Sequence, residues 1–201
     1  MVRLTKEQVQ FYKDNGYIHL QNLIKGEELK RVSEEYDNLF KRKNQAKTES
    51  SWVGSDDTFR ASDSPYTDYP YFPYKKDSMV AAFIHLDDAN PENGGLFVYP
   101  GSHKLGPLED FGPKEGSHFH YVDQKKFPIG SATPVIAKAG DVVIFSYLLV
   151  HGSTPNMSTK PRRMFLIQLA DAHDGPVGGE AGQPGRGWML RGKLESRTSL
   201  N

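Results

Sequence analysis

From Tyr66 onward the chain alternates short apolar runs with dense clusters of turn formers, and this rhythm limits the folds open to it. The runs 79–86, 96–99, 133–137, 142–150 and 164–170 are rich in β-branched and aromatic residues. Between them Gly, Pro, Asn and Asp concentrate, most densely in Asp87-Asp88-Ala89-Asn90-Pro91-Glu92-Asn93-Gly94-Gly95. Runs of that length and composition are strands, and the clusters are tight turns. Helical periodicity is confined to the N-terminal side. The fold class expected is mainly β with N-terminal helices: an antiparallel jelly roll or barrel carrying helical support.

Thr5 and Gln8 have the spacing of a capping box, with Leu4 and Val9 placed as a hydrophobic staple, so a helix starts there and stops at Gly16. Residues 17–20 follow as a short strand. From Glu27 the apolar positions Leu29, Val32, Tyr36, Leu39 and Phe40 recur at helical spacing, which predicts a second amphipathic helix. Residues 41–64 are polar and poor in aliphatics, the composition of a loop without fixed structure. The aromatic and proline-rich stretch 66–74 can wall a pocket, and 105–130 reads as a long excursion over the site. A glycine-rich stretch, 178–187, precedes the C-terminal end without a clear phosphate-binding context. One domain is expected over 1–201: N-terminal support at 1–45, a β core at 66–170 and a loop-like tail at 171–201.

Lys and Arg number 25 and Asp and Glu number 25, so the balanced charge advertises neither nucleic acid nor an anionic membrane. With no cysteine, any metal must be held by His, Asp or Glu. No window has the length and apolarity of a membrane span, and Arg3, Lys6 and Glu7 stand where a secretory signal needs an apolar core. A soluble, cytoplasmic protein is expected.

The stretch 140–164 carries the chemistry. The run 142–150 reads as one strand buried on both faces, with His151 at its end; turn residues follow, and Arg162 and Arg163 open the next strand. On that reading two neighbouring strands offer an imidazole and a guanidinium to one cavity. A neutral imidazole is the commonest metal ligand, and a guanidinium matches a carboxylate in bidentate fashion.

These segments, taken together in order, resemble the phytanoyl-CoA dioxygenase family. The resemblance rests on Leu86-Asp87-Asp88-Ala89, Glu92-Asn93-Gly94-Gly95-Leu96, Pro100-Gly101-Ser102-His103-Lys104, Gly140-Asp141, His151-Gly152-Ser153, Pro155-Asn156, Ser158 and Arg162, within about residues 66–170. It implies a double-stranded β-helix, a cupin-like jelly roll, and an enzyme that uses iron(II), 2-oxoglutarate and dioxygen to hydroxylate a small organic or acyl substrate, releasing succinate and CO2. In that pattern His151 matches the distal iron histidine and Asp68 the iron carboxylate. Arg162 matches the arginine that binds the far carboxylate of 2-oxoglutarate, with Ser153 as a further cosubstrate contact and Arg163 as the fallback.

The first iron histidine is absent: Tyr66 stands where the family's His-x-Asp pair begins. Residues 64–67 also join almost directly to Asp68, where the family has a longer segment, which has the look of an internal deletion. A literal His-x-Asp occurs at His85-Leu86-Asp87, a second candidate for the iron pair and otherwise a structural strand end. Two further readings follow: a catalytically impaired or non-catalytic β-helix protein, and a cupin-like isomerase or epimerase.

Overall fold

In the computed structural model, which describes residues 3–46, 64–112, 120–177 and 190–191, Thr5 caps helix α1 (Lys6–Asn15). The capping box is complete: Gln8 N–H donates to Thr5 Oγ1 at 3.2 Å and Thr5 N–H to Gln8 Oε1 at 2.8 Å. Gly16 ends the helix at φ +79°, a left-handed conformation. A Cβ there would fall 2.4 Å from the His103 ring, whose Nε2 lies 3.1 Å from the Lys13 carbonyl, so the 3-10 turn Ser102–Leu105 anchors the helix end.

Strand β1 (Tyr17–Leu20) leads to α2 (Gly26–Ala46). The helix reaches Ala46, past the point where a loop is expected from residue 41, because Lys41-Arg42-Lys43-Asn44-Gln45-Ala46 contains no breaker and mostly strong helix formers. The rest of the expected loop, apart from Ser64, and the glycine-rich stretch 178–187 lie outside the described residues.

The remaining strands are β2 (Val80–His85), β3 (Leu96–Val98), β4 (Thr133–Pro134), β5 (Val142–Ser146), β6 (His151–Ser153) and β7 (Met164–Leu169). They form two antiparallel sheets, β1-β5-β2-β7 and β4-β3-β6. Ala81, Phe83, Val143 and Phe145 of the larger sheet pack against Leu96 and Val98 of the smaller, with Val135 and Leu149 closing the core. These contacts fix the inner faces: residues 81, 83 and 85 of β2 point inward, and their register partners on β7 are Gln168, Leu166 and Met164.

The apolar run 142–150 is not one strand. It leaves the larger sheet after Ser146 and turns, with Leu149 N–H donating to the Ser146 carbonyl at 2.8 Å, then enters the smaller sheet at His151. Every residue of the run except Ile144 is buried, because the turn itself lies inside the sandwich, so hydropathy carries no mark of the crossing. No helix of the described residues is long and apolar enough to cross a membrane.

Candidate metal and cosubstrate site

Backbone pairing brings Tyr66, Asp68 and His151 together. Tyr66 N–H donates to the His151 carbonyl and His151 N–H to the Tyr66 carbonyl, both at 2.9 Å, while Asp68 N–H donates to the Tyr147 carbonyl at 2.9 Å. Residues 66–68 thus lie along β6 and its entry turn, and Asp68 is buried there.

His151 is 1% exposed. Its Nδ1 lies 2.9 Å from the Leu149 carbonyl, a bond that requires the proton on Nδ1 and leaves Nε2 as the lone-pair nitrogen of the neutral ring. Nε2 faces Asp68 Oδ1 at 3.6 Å. That is too long for a hydrogen bond, and a small closing of the pair would let both donors reach one metal ion. A backbone carbonyl fixing the distal nitrogen is also the usual support of a metal-binding histidine. Burial pushes the Asp68 carboxyl up, and the neighbouring His151 and a hydrogen bond with Gln168 act against that push. Gln168 was not among the sequence candidates. Its signal was a single amide in the apolar run 164–170, two and four residues from Leu166 and Met164 on the same face.

Tyr66 lies beside this pair. Its ring centroid is 4.4 Å from that of His151, and burial, then the Asp68 charge, push its phenol above the ordinary range. Among the described residues no group of three His, Cys, Asp or Glu side chains could hold a metal ion. The donor set fits iron at two protein positions and departs from a three-ligand site at Tyr66.

The two arginines have separate roles. Arg163 is engaged: Nε and Nη2 meet the two oxygens of Asp87 at 3.0 and 2.9 Å, and Nη1 meets both oxygens of Asp37 on α2 at 2.9 and 3.0 Å. Arg162 is half-buried and forms no ion pair among the described residues; its Nη1 rests 3.8 Å from Met164 Sδ, and burial lowers its pKa. Such a guanidinium fits a carboxylate. His151 and Arg162 do not belong to neighbouring strands of one sheet, since β6 lies in the smaller sheet and β7, which Arg162 precedes, in the larger. Ser153 lies two residues after His151 in β6, on the same face.

The structure separates His85 from Asp87. His85 ends β2 facing inward, and Asp87 is held by Arg163 in the connection beyond the strand. The aspartate side chain is therefore committed to Arg163, a structural role. Other histidines have partners away from the site: His19 with Asp141 at 2.8 Å, His120 with Asp110 at 2.6 Å and His173 with Asp171 at 3.1 Å. His118 lies outside the described residues. A cavity of about 460 Å³ is lined by Phe11, Tyr17, Ile18, Val135 and Ile136, between α1 and the β1 and β4 region, apart from His151 and Asp68.

The model of the phytanoyl-CoA dioxygenase (PhyH) family matches residues 58–164, a span that contains Tyr66, Asp68, His151 and Arg162. The chain belongs to that family. It is 34% identical over 114 residues to the peroxisomal phytanoyl-CoA dioxygenase of Bos taurus, covering 54% of this chain and 33% of the relative. It is 27% identical over 116 residues to a probable alpha-ketoglutarate-dependent hypophosphite dioxygenase of Stutzerimonas stutzeri, covering 56% and 41%. The matched part thus spans about a third to two fifths of these relatives. Among solved structures, the epimerase SnoN, in complex with Fe3+, alpha ketoglutarate and nogalamycin RO, superposes with a TM-score of 0.66 at 16% identity, covering 94% of this chain and 96% of that one. EvdO2 from Micromonospora carbonacea var. aurantiaca, complexed with 2-oxoglutarate, gives 0.61 at 15% identity over 93% and 98%. These likenesses establish the cupin-like double-stranded β-helix as the fold.

Proposed function

We propose that this family member is an iron(II)- and 2-oxoglutarate-dependent oxygenase site in which His151 and Asp68 hold the metal and Arg162 holds the cosubstrate's far carboxylate, with Ser153 on the same inner wall. One observation carries the reading: a buried imidazole, tautomer fixed by Leu149, presents its lone pair to a buried carboxylate 3.6 Å away. When bound, iron with 2-oxoglutarate and dioxygen supplies the oxidising power to hydroxylate an unactivated C–H bond, yielding succinate and CO2. The chain's own part is to orient and to exclude water. Leu149 fixes the His151 ring, Gln168 steadies Asp68, and Phe145, whose ring lies 4.6 Å from that of His151, keeps the donors dry. The substrate class is a small organic or acyl molecule.

A second reading, a catalytically silent β-helix protein, is favoured by the phenol of Tyr66 where the family pattern has an imidazole. The epimerase reading draws nothing from SnoN, whose likeness is one of fold. Succinate formation that requires both iron(II) and 2-oxoglutarate supports the oxygenase. Binding of manganese(II) and 2-oxoglutarate without succinate leaves the silent form, and failure to bind either overturns the oxygenase reading. In Arg162→Ala, 2-oxoglutarate affinity falls by about 2–4 kcal/mol, the weight of a charge-assisted pair; unchanged affinity by calorimetry removes Arg162 from the role.

A further inference from the structure

His85 is a polar side chain placed where a leucine would pack. It is 0% exposed, and neither Nδ1 nor Nε2 has a hydrogen-bond partner among the described residues. Buried polar groups are normally satisfied, and an orphaned one carries a desolvation penalty that an apolar residue of similar size avoids. The Asp141 carboxylate, whose charge acts on the ring, cannot serve it. Asp141 is already taken by Asn22 N–H at 2.7 Å, Lys138 N–H at 2.9 Å and His19 Nε2 at 2.8 Å.

Register shows what His85 faces. It pairs with Met164 of β7, so the two side chains share the inner face, and Arg162, two residues earlier in the chain, lays its Nη1 against Met164 Sδ at 3.8 Å. Among the described residues, an arginine without a carboxylate and an imidazole without a hydrogen-bond partner therefore flank one methionine. Leu166, next along the same inner face, is 46% exposed, so this surface opens to solvent along the sheet's edge strand.

We propose that His85 donates an imidazole N–H to the carboxylate that Arg162 holds, making the anion site for 2-oxoglutarate a guanidinium–imidazole pair instead of an arginine alone. This rests on the oxygenase reading of the site. Burial, then the nearby charges of Arg162 and His19, push the ring's pKa down to about 4, so it is neutral at physiological pH and carries one N–H. One N–H beside a guanidinium suits a carboxylate with an oxygen lone pair to spare.

The test is calorimetric titration of 2-oxoglutarate into protein saturated with manganese(II), for wild type, Arg162→Ala, His85→Leu and His85→Gln, with thermal unfolding of each. His85→Leu is expected to unfold at the same or a higher temperature, because two orphaned nitrogens are gone, and to bind 2-oxoglutarate at least about tenfold more weakly, the weight of one charge-assisted hydrogen bond. His85→Gln, which keeps a donor, falls between. In the wild type, the ring 15N resonances of His85 shift when 2-oxoglutarate is added. A folded His85→Leu with wild-type affinity overturns the proposal, as does a lowered unfolding temperature with affinity unchanged. If His85→Leu does not fold, unmoved 15N resonances overturn it. Weakened binding in Arg162→Ala but not in His85→Leu rejects this inference alone, whereas a wild type that binds no 2-oxoglutarate rejects the oxygenase reading with it.

Discussion

Arg163 grips Asp87 through both carboxylate oxygens, at 2.9 and 3.0 Å, and with its remaining nitrogen reaches Asp37 on α2, so one guanidinium ties the helix to the β2–β7 edge of the larger sheet. Burial alone would raise the Asp87 carboxyl, but the hydrogen bonds from Arg163 outweigh it and hold it below the ordinary value. The pair is structural. Asp87→Ala should cost about 1–3 kcal/mol, as expected for a partly buried charge-assisted pair, while leaving manganese(II) affinity as in the wild type. Loss of metal binding with the fold intact would instead put His85-Leu86-Asp87 in the metal site.

The same sign governs a pH dependence. In Asp87, Asp141 and Asp174 burial pushes the carboxyl up, and hydrogen bonds overcome it, so each titrates below its ordinary value. A folded pKa below the unfolded one stabilises fully above the unfolded value, near 3.9, and that stability is lost as pH falls through the lower folded value. Because the buried His85 ring is held down at about 4, the unfolding temperature should already decline as pH drops below about 6.5, and fall more steeply between about pH 4 and 2 as these carboxylates protonate. Asp174→Asn, which keeps one of the two oxygens that accept from Lys76 N–H and from the Ser78 N–H and hydroxyl but removes the titrating group, should flatten that fall. An acid limb of the same steepness in Asp174→Asn would exclude the carboxylate from it.

Gly140 joins three elements: its carbonyl accepts from Ile24 N–H at 3.0 Å and its N–H donates to the His85 carbonyl at 2.8 Å. Its φ is +90°, and a Cβ would lie 2.1 Å from the Ile24 carbonyl oxygen. Neither strain nor clash can relax cheaply against backbone. Gly140→Ala should therefore lose at least about 2 kcal/mol in chemical denaturation, and a loss under about 0.5 kcal/mol, the scale of an ordinary surface change, would show that the 21–24 segment yields.

Much of this was legible in the linear chain, and the gaps have physical causes. The capping box at Thr5 and Gln8 is a local device, written in residues three apart, and it formed as written. The strands were legible because period and composition are local too. The crossing from β5 to β6 was not, since a turn buried between two sheets keeps the hydropathy of a strand. The partners of Arg162 and Arg163 were likewise invisible: adjacent in sequence, they face opposite ways from the strand, so one finds Asp87 and Asp37 while the other lies against Met164 inside. Which of two neighbouring arginines is open to a carboxylate is a property of tertiary pairing.

The last expectation concerns Tyr66. Its two backbone hydrogen bonds with His151 do not depend on its side chain, so Tyr66→His keeps the strand pairing and sets an imidazole beside His151, two residues before Asp68. Two histidines and one carboxylate are the facial set that suits iron. Manganese(II) affinity should rise by at least about tenfold, and His151→Ala in that background should abolish the gain. Turnover is a separate matter. Phe165 and Leu166, on opposite faces of the edge strand β7, are 39% and 46% exposed, so both faces of that strand carry apolar surface open to solvent. Tyr66→His alone should therefore bind metal without robust succinate formation, and turnover should need the longer segment restored. Robust iron-dependent turnover by the single variant would show that the ligand, and no scaffold, was what this chain lacked.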